Sequence, residues 1–176
     1  MSRIYIFLLV INFSLSQYYQ LGETMITSHQ NQSHSVCYGD TDVGSSNSLR
    51  FADYNGALNG GDYHVILIYM AASWWGSCYN AIGTMASLEQ QFNDNQNVLI
   101  LTNLDDIGQP YSCNQWGNRH MQFGAINPII TNDGNNITIM SWFGTFSGNY
   151  IYYPSVAFLD HDMKFVYNGN LSSAGF

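Results

Sequence analysis

The side chains of this sequence best suited to covalent chemistry are three cysteine thiols, at Cys37, Cys78 and Cys113. A cysteine thiolate attacks a disulfide, and a second thiol then resolves the mixed disulfide that forms. Three cysteines allow at most one internal disulfide and leave one thiol over. In an oxidising compartment the commonest fate of a cysteine pair is a structural bridge. The sequence leaves open which two cysteines pair, and whether such a pair is structural or redox-active.

Cys78 lies in the first turn of a predicted helix over residues 73–92. In that position the helix macrodipole favours a thiolate. The alternative is that the thiol only continues the apolar stripe of the helix, as buried free thiols commonly do. The stripe has the helical period and consists of Cys78, Ile82, Met85, Leu88 and Phe92. Both interpretations are compatible with the sequence.

The segments on either side of this helix predict how it is positioned. Residues 65–70 and 98–102 are continuous apolar runs, which are typical of strands covered on both faces. A strand, a crossover helix and a second strand form a βαβ unit with parallel strands. Loops beyond the carboxyl ends of these strands meet at one edge of the sheet, which places Cys113 near the start of the helix. Asp105 and Asp106 directly follow the second strand, and we expect them to cap a helix or solvate a loop, with an acid/base pair as the alternative.

Shorter and less regular sequence patterns predict the remaining elements. With them, the sheet is expected to be mixed, with parallel strands at its centre and an antiparallel hairpin at its C-terminal end. They predict helices over 51–58, 113–123 and 137–143, a strand over 128–131, and a hairpin of strands 155–159 and 164–167.

Two motifs resemble those of the thioredoxin superfamily. The segment Ala72-Ser73-Trp74-Trp75-Gly76-Ser77-Cys78 is similar to the active-site stretch A-S-W-C-G-P-C, which follows a buried strand and opens a helix. Tyr153-Pro154-Ser155 matches the family's cis-proline, which precedes the hairpin strand and faces the active site. The resemblance runs from about residue 40 to 168 and is closest to the secreted or periplasmic redoxin-type branch. It implies a thioredoxin-like three-layer α/β sandwich.

The sequence departs from the family where the attacking cysteine belongs, because Trp75 stands there. Indole can neither attack a disulfide nor resolve one. Cys78 matches the second, resolving cysteine, and Ser77 replaces the usual proline. Tyr69 stands where many members carry a carboxylate that moves protons for the buried thiol. The resemblance therefore implies a degenerate site with little or no dithiol exchange.

For a degenerate site of this kind, the resemblance implies that the remaining function is to bind an extended peptide or partner chain. In the family, the groove beside the cis-proline accepts an extended substrate segment. The matching residues here are Trp74, Gly76, Ser77, Tyr153 and Pro154. Ordinary packing of these aromatic side chains is the alternative.

Two other functions stay open. One is a thiol–disulfide oxidoreductase or redoxin that uses Cys78 with Cys113. The same enzyme could use a cysteine or selenocysteine at position 75, encoded by a UGA codon that was read as tryptophan. The other is a purely structural secretory glycoprotein.

Composition excludes several further classes. The 176 residues are 46% hydrophobic and only 9% charged, which suits one domain with a core rather than a disordered chain. Four Lys and Arg residues against twelve Asp and Glu give a formal net charge of −8, which excludes a basic nucleic-acid surface. The spacing of histidines and cysteines matches no zinc motif, so we predict no metal and no cofactor.

Residues 1–16 have the features of a signal peptide: Arg3, an apolar run over 4–13, and the small-x-small sequence Ser14-Leu15-Ser16. About ten apolar residues are too few to cross a hydrocarbon core of ~30 Å. We therefore predict a protein that is secreted or lies in the lumen of the secretory pathway, with no membrane span once the signal is removed. Glycosylation sequons begin at Asn31, Asn136 and Asn170.

The predicted organisation continues with a loosely ordered lead-in over 17–48, with a candidate short strand around Cys37, and a thioredoxin-like domain over 49–176. Thioredoxin-like domains usually close with a helix that covers one face of the sheet. Residues 168–176 are too short and too rich in Gly and Ser for a full helix. We therefore expect that a partner covers that face or that the sequence is a fragment.

Overall fold

The computed structural model describes residues 18–41, 47–132, 138–147 and 150–171. The predicted signal peptide, Asn136 and the last five residues lie outside these ranges. The strands are β1 (His34–Tyr38), β2 (Ser48–Leu49), β3 (Val65–Ala72), β4 (Val98–Asp105), β5 (Ile129–Asn132), β6 (Phe146–Ser147), β7 (Tyr150–Ile151), β8 (Ser155–Leu159) and β9 (Phe165–Asn170). The helices are α1 (Thr27–Gln30), α2 (Gly56–Asn59), α3 (Gly76–Phe92), α4 (Cys113–Gln122) and α5 (Thr138–Phe143), with a 3₁₀ turn at Phe51–Tyr54.

One mixed sheet organises the molecule, with strands in the order β2-β1-β5-β4-β3-β8-β9. Strands β3, β4 and β5 run parallel, whereas β8 and β9 form an antiparallel hairpin beside β3. The predicted fold class, a mixed sheet with a parallel centre and a C-terminal antiparallel hairpin, is therefore confirmed. No helix among the described residues is long and apolar enough to span a bilayer.

The central strand β3 is buried on both faces because its side chains alternate between two cores. Ile66, Ile68 and Met70 enter one core, and Leu67 and Tyr69 enter the other. The second core is closed by α3 and α4, whose buried side chains include Cys78, Ile82, Met85 and Trp116.

Helix α3 begins at Gly76, three residues after the predicted start at 73. The reason is a turn at the end of β3, in which the amide of Trp75 donates to the carbonyl of Ala72. The predicted helix over 51–58 is divided at Asn55, whose backbone is extended and whose side chain caps α2.

The N-terminal segment differs from the expected loose lead-in. Strand β1 pairs with β2 and β5 inside the main sheet, and Tyr19 and Met25 are buried in the first core. Together with Trp142 and Phe143 of α5, these side chains cover the face of the sheet opposite α3. The apolar residues of the segment before β2 therefore belong to the core of the domain.

Candidate functional site

The site lies where β3 ends and α3 begins, at the carboxyl edge of the parallel strands. Ser73 fastens this loop to the loop after β4. Its amide donates to the carbonyl of Asp105 at 3.0 Å, and its hydroxyl donates to the carbonyls of Asp106 and, at 3.0 Å, Gln109. Because Ser73 is fully buried, these bonds hold the two loops in a fixed relation.

Trp74 adds a side-chain bond between the same two loops. Its indole Nε1 donates to Oδ2 of Asp106 at 2.6 Å. Asp106 has a φ of 52°, in the left-handed region that Asp tolerates better than most residues. The Asp106 carboxylate is therefore oriented by its own backbone and by the indole.

A third loop, between β7 and β8, reaches the same place. Strand β8 pairs with β3 so that Ser155 faces Met70, which puts Tyr153 beside the end of β3. The Tyr153–Pro154 peptide bond is cis. The ring of Tyr153 lies 6.2 Å from that of Trp74, and its hydroxyl donates to Oδ2 of Asp105 at 2.9 Å.

Trp75 and Trp74 are exposed at this edge, with 44% and 50% of their surfaces accessible. Their ring centroids lie 5.5 Å apart and their planes are inclined by 66°. We call Trp74, Trp75 and Tyr153 the aromatic rim. Pro154 is partly exposed beside it, and Gly76 and Ser77 are exposed in the first turn of α3.

Cys78 lies behind the rim and has no exposed surface. Burial raises the pKa of its thiol to about 11, although hydrogen bonds from the Ala72 backbone and from Tyr69 act in the opposite direction. The thiol is therefore protonated at neutral pH, so the helix start does not produce a thiolate here. This arrangement favours the interpretation of Cys78 as part of the apolar stripe.

Tyr69, which the resemblance matches to a proton-carrying carboxylate, is also fully buried. Its hydroxyl donates to the carbonyl of Cys78 at 2.9 Å. Burial, followed by the proximity of Cys78, raises the pKa of this phenol well above its ordinary value. Tyr69 therefore holds the first turn of α3 against β3 and does not exchange protons near neutral pH.

The disulfide joins Cys37 of β1 to Cys113, the first residue of α4, with 6.1 Å between the Cα atoms. Cys78 stays a free, buried thiol. Of the pairings left open by the sequence, those that include Cys78 are therefore not formed. An enzyme that used Cys78 with Cys113 would first need the Cys37–Cys113 bridge to be reduced.

The predicted glycosylation sites fall on different parts of the chain. Asn31 is exposed directly after α1, and Asn170 is exposed at the end of β9. Asn31 lies far from the aromatic rim along the chain, whereas Asn170 pairs with Ser155, the residue directly after Pro154. Asn136 lies outside the described residues.

One group among the described residues brings enough ligand atoms together to hold a metal ion, namely Asp160, His161 and Asp162. It lies in the turn between β8 and β9, at the end of β8 opposite the rim. Oδ1 of Asp160 accepts the amides of Asp162 and Lys164, so this carboxylate already shapes the turn.

A cavity of about 700 Å³ lies at the amino end of β4, also away from the rim. Several of its polar side chains are used by the fold: Asn59 donates to the carbonyls of Asp53 and Asp62, and Asn97 donates to the carbonyl of Tyr63. This cavity therefore belongs to the architecture of its loops.

Sequence reasoning missed the part that Asp105 and Asp106 play in the site. We expected them to cap a helix or solvate a loop, and instead they accept hydrogen bonds from two members of the rim. The signal was present in their position, since carboxyl ends of neighbouring parallel strands meet at one edge.

No family model matches the chain, and no curated protein matches it in sequence. Solved structures do match. A putative protein disulfide isomerase from Bacteroides thetaiotaomicron is 14% identical, with 89% of this chain and 82% of that chain covered and a TM-score of 0.57. PrxQ from Xylella fastidiosa, solved as a mutant, is 13% identical, with coverages of 87% and 86% and a TM-score of 0.58. A secreted disulfide oxidoreductase of Mycobacterium tuberculosis is 10% identical, with coverages of 80% and 84% and a TM-score of 0.51. At these identities the likeness concerns architecture, and this chain has a thioredoxin-like fold.

Proposed function

We propose that this chain is a secreted thioredoxin-like protein that binds extended peptide segments of partner proteins at the aromatic rim. In this proposal it has little or no dithiol exchange activity. The observation that carries the proposal is the exposure of Trp74 and Trp75 on a loop that hydrogen bonds from Ser73 and Trp74 fasten to the loop after β4.

Exposed indoles normally cost solubility, so two adjacent ones on a rigid support are typical of a binding surface. Aromatic side chains give a large contact area with few rotatable bonds. Here Trp74 is further restrained by its bond to Asp106 and its contact with Tyr153. A pre-organised surface loses little entropy when a peptide binds, which favours measurable affinity.

The chemistry of position 75 and the state of Cys78 argue against exchange. Disulfide exchange needs an accessible thiolate and a second thiol. Trp75 supplies neither, and Cys78 is enclosed with a raised pKa. The remaining cysteines are joined to each other.

Secretion is supported by the signal-like residues 1–16 and by the Cys37–Cys113 disulfide, which suits an oxidising compartment. The similar fold of a secreted oxidoreductase agrees with this location. In that compartment we propose that the sequons at Asn31, Asn136 and Asn170 carry glycans.

Binding of unfolded peptides to the full chain tests the proposal, with fluorescence anisotropy of labelled peptides as the readout. Trp75→Ala should weaken binding by about tenfold or more, as expected for a central aromatic contact. The matched control is Phe92→Ala, since Phe92 is 36% exposed at the other end of α3. Absence of any peptide binding by the unmodified chain would instead favour the purely structural glycoprotein.

A second function has one specific observation in its favour. Position 75 is the residue directly before α3, is exposed, and lies three residues before Cys78, as an attacking cysteine would. A cysteine or selenocysteine there would make this chain a thiol–disulfide oxidoreductase. The codon at position 75 decides the matter: UGG supports the binding protein, and UGA supports the enzyme.

A further inference from the structure

We propose that the segment bound at the aromatic rim is basic, with a Lys or Arg side chain seated between the exposed indoles and the carboxylate of Asp106. This inference rests on the proposed peptide-binding function and adds the chemical class of the peptide.

Asp106 is an exposed carboxylate with a fixed orientation. Its carbonyl accepts the buried hydroxyl of Ser73, and its Oδ2 accepts the indole N–H of Trp74. Its Oδ1 has no hydrogen-bond partner among the described residues, so this oxygen is available to a cation. A carboxylate held in place in advance loses less entropy when it pairs with a ligand than a mobile side chain does.

The indoles provide the second half of a cation site. The faces of Trp74 and Trp75 are inclined by 66° and both are about half exposed. Tryptophan faces attract ammonium and guanidinium groups more strongly than other aromatic rings do. Since the edge of Trp74 touches Asp106, a cation over its face lies near the carboxylate as well. The two attractions therefore act on the same ligand group.

The three Lys and Arg residues that the structure describes lie away from Asp106. Arg50 pairs with Asp53 at 2.6 Å, and the guanidinium of Arg119 lies over the rings of Tyr79 and Phe123. Lys164 lies just before β9, beyond the end of β8 that is far from the rim. Among the described residues, no Lys or Arg therefore neutralises Asp106.

Charge also selects against other peptides. Asp105 is a second carboxylate behind the rim, bound to Tyr153, and the whole chain has a net charge of −8. Like charges across an interface disfavour the wrong partner, and a negative surface attracts a basic one before contact. An acidic segment meets repulsion at the rim and at long range. A basic segment is attracted by both.

The test uses the full chain and short labelled peptides of one extended sequence, in which the central positions are all Lys, all Gln or all Glu. The Lys peptide should bind about tenfold more tightly than the Gln peptide, and the Glu peptide most weakly. The preference for Lys should shrink as salt is added, because exposed charges are screened.

Two substitutions at Asp106 test whether its carboxylate causes the preference for the Lys peptide. Asp106→Asn should bring the Lys peptide close to the affinity of the Gln peptide, and Asp106→Glu should retain part of the preference. Asp94→Asn is the control, because it removes one exposed acidic charge just after α3 and should preserve the preference.

The outcomes separate this inference from the proposed function. Equal binding of all three peptides, weakened in each case by Trp75→Ala, would overturn the basic selectivity while peptide binding stands. A preference for Lys that survives Asp106→Asn would also overturn it. Failure of every peptide to bind would overturn both proposals.

Discussion

The hydroxyl of Tyr153 donates a hydrogen bond of 2.9 Å to Oδ2 of Asp105, which joins the loop before β8 to the end of β4. These residues are separated by 48 positions along the chain. The bond crosses β3, which lies between β4 and β8 in the sheet. It therefore ties Tyr153 of the aromatic rim to the carboxyl end of β4, across the end of β3.

Tyr153→Phe should lower the free energy of unfolding by about 1 kcal/mol, because Asp105 is largely buried and loses one hydrogen bond. Urea denaturation followed by far-UV circular dichroism measures the change. Tyr150→Phe is the control, since Tyr150 is 78% exposed and should contribute nothing measurable. Equal stability of the two variants would show that the Tyr153–Asp105 bond does not contribute to the fold.

The stability of the fold should fall at alkaline pH because of Cys78. Burial raises the pKa of this thiol from 9.0 to about 11, so the unfolded chain releases the proton at lower pH than the folded chain. Between these values the unfolded state binds fewer protons, and the free energy of unfolding decreases as pH rises. A difference of two pKa units corresponds to at most about 3 kcal/mol, with the full contribution present below pH 9.

Urea denaturation between pH 8 and 11 measures this dependence, with Cys78→Ala as the comparison. Tyr69 also has a raised pKa, so in Cys78→Ala the free energy of unfolding should still decrease with pH, but less steeply. If the free energy of unfolding decreases equally steeply with pH in both proteins, the pH dependence does not come from Cys78. In the folded chain, alkylation of this thiol should be slow at neutral pH.

The central βαβ unit was predictable from sequence because its signals are local. The apolar run of β3 and the period of α3 each depend on neighbouring residues alone. Strand β1 was only partly predictable, since its pairing with β5 joins segments far apart in the chain. The disulfide illustrates the same limit: three cysteines allow three pairings, and only the folded sheet brings Cys37 to Cys113.

The site was predictable in outline and not in detail. The motif around Trp74 and Trp75 and the matching Tyr153–Pro154 segment indicated which loops meet. The role of Asp106 depends on its left-handed backbone and on the direction of the Trp74 indole. Both arise from the packing of loops against each other, which no periodic pattern encodes.

Removal of the Cys37–Cys113 disulfide should destabilise the chain strongly. The bridge closes a loop with a sequence separation of 76 residues, and a loop of that length corresponds to about 4.5 kcal/mol in the chain-entropy model. The double variant Cys37→Ala/Cys113→Ala should unfold at correspondingly lower urea concentration. A reducing agent should destabilise the unmodified chain and leave the double variant unchanged. Insensitivity of the unmodified chain would mean that the bridge does not constrain the unfolded state.

Trp75→Cys should give the scaffold disulfide reductase activity, because it places a thiol at the exposed start of α3, three residues before Cys78. There the helix dipole and solvent access favour the thiolate, unlike the enclosed position of Cys78. Reduction of insulin by dithiothreitol should proceed at the uncatalysed rate with the unmodified chain and faster with the variant. Trp75→Ser is the control for removal of the indole, and Trp75→Cys/Cys78→Ala should lose turnover because no thiol resolves the mixed disulfide. Activity in the unmodified chain that disappears in Cys78→Ala would instead show that Cys78 exchanges by itself, contrary to its burial and its raised pKa.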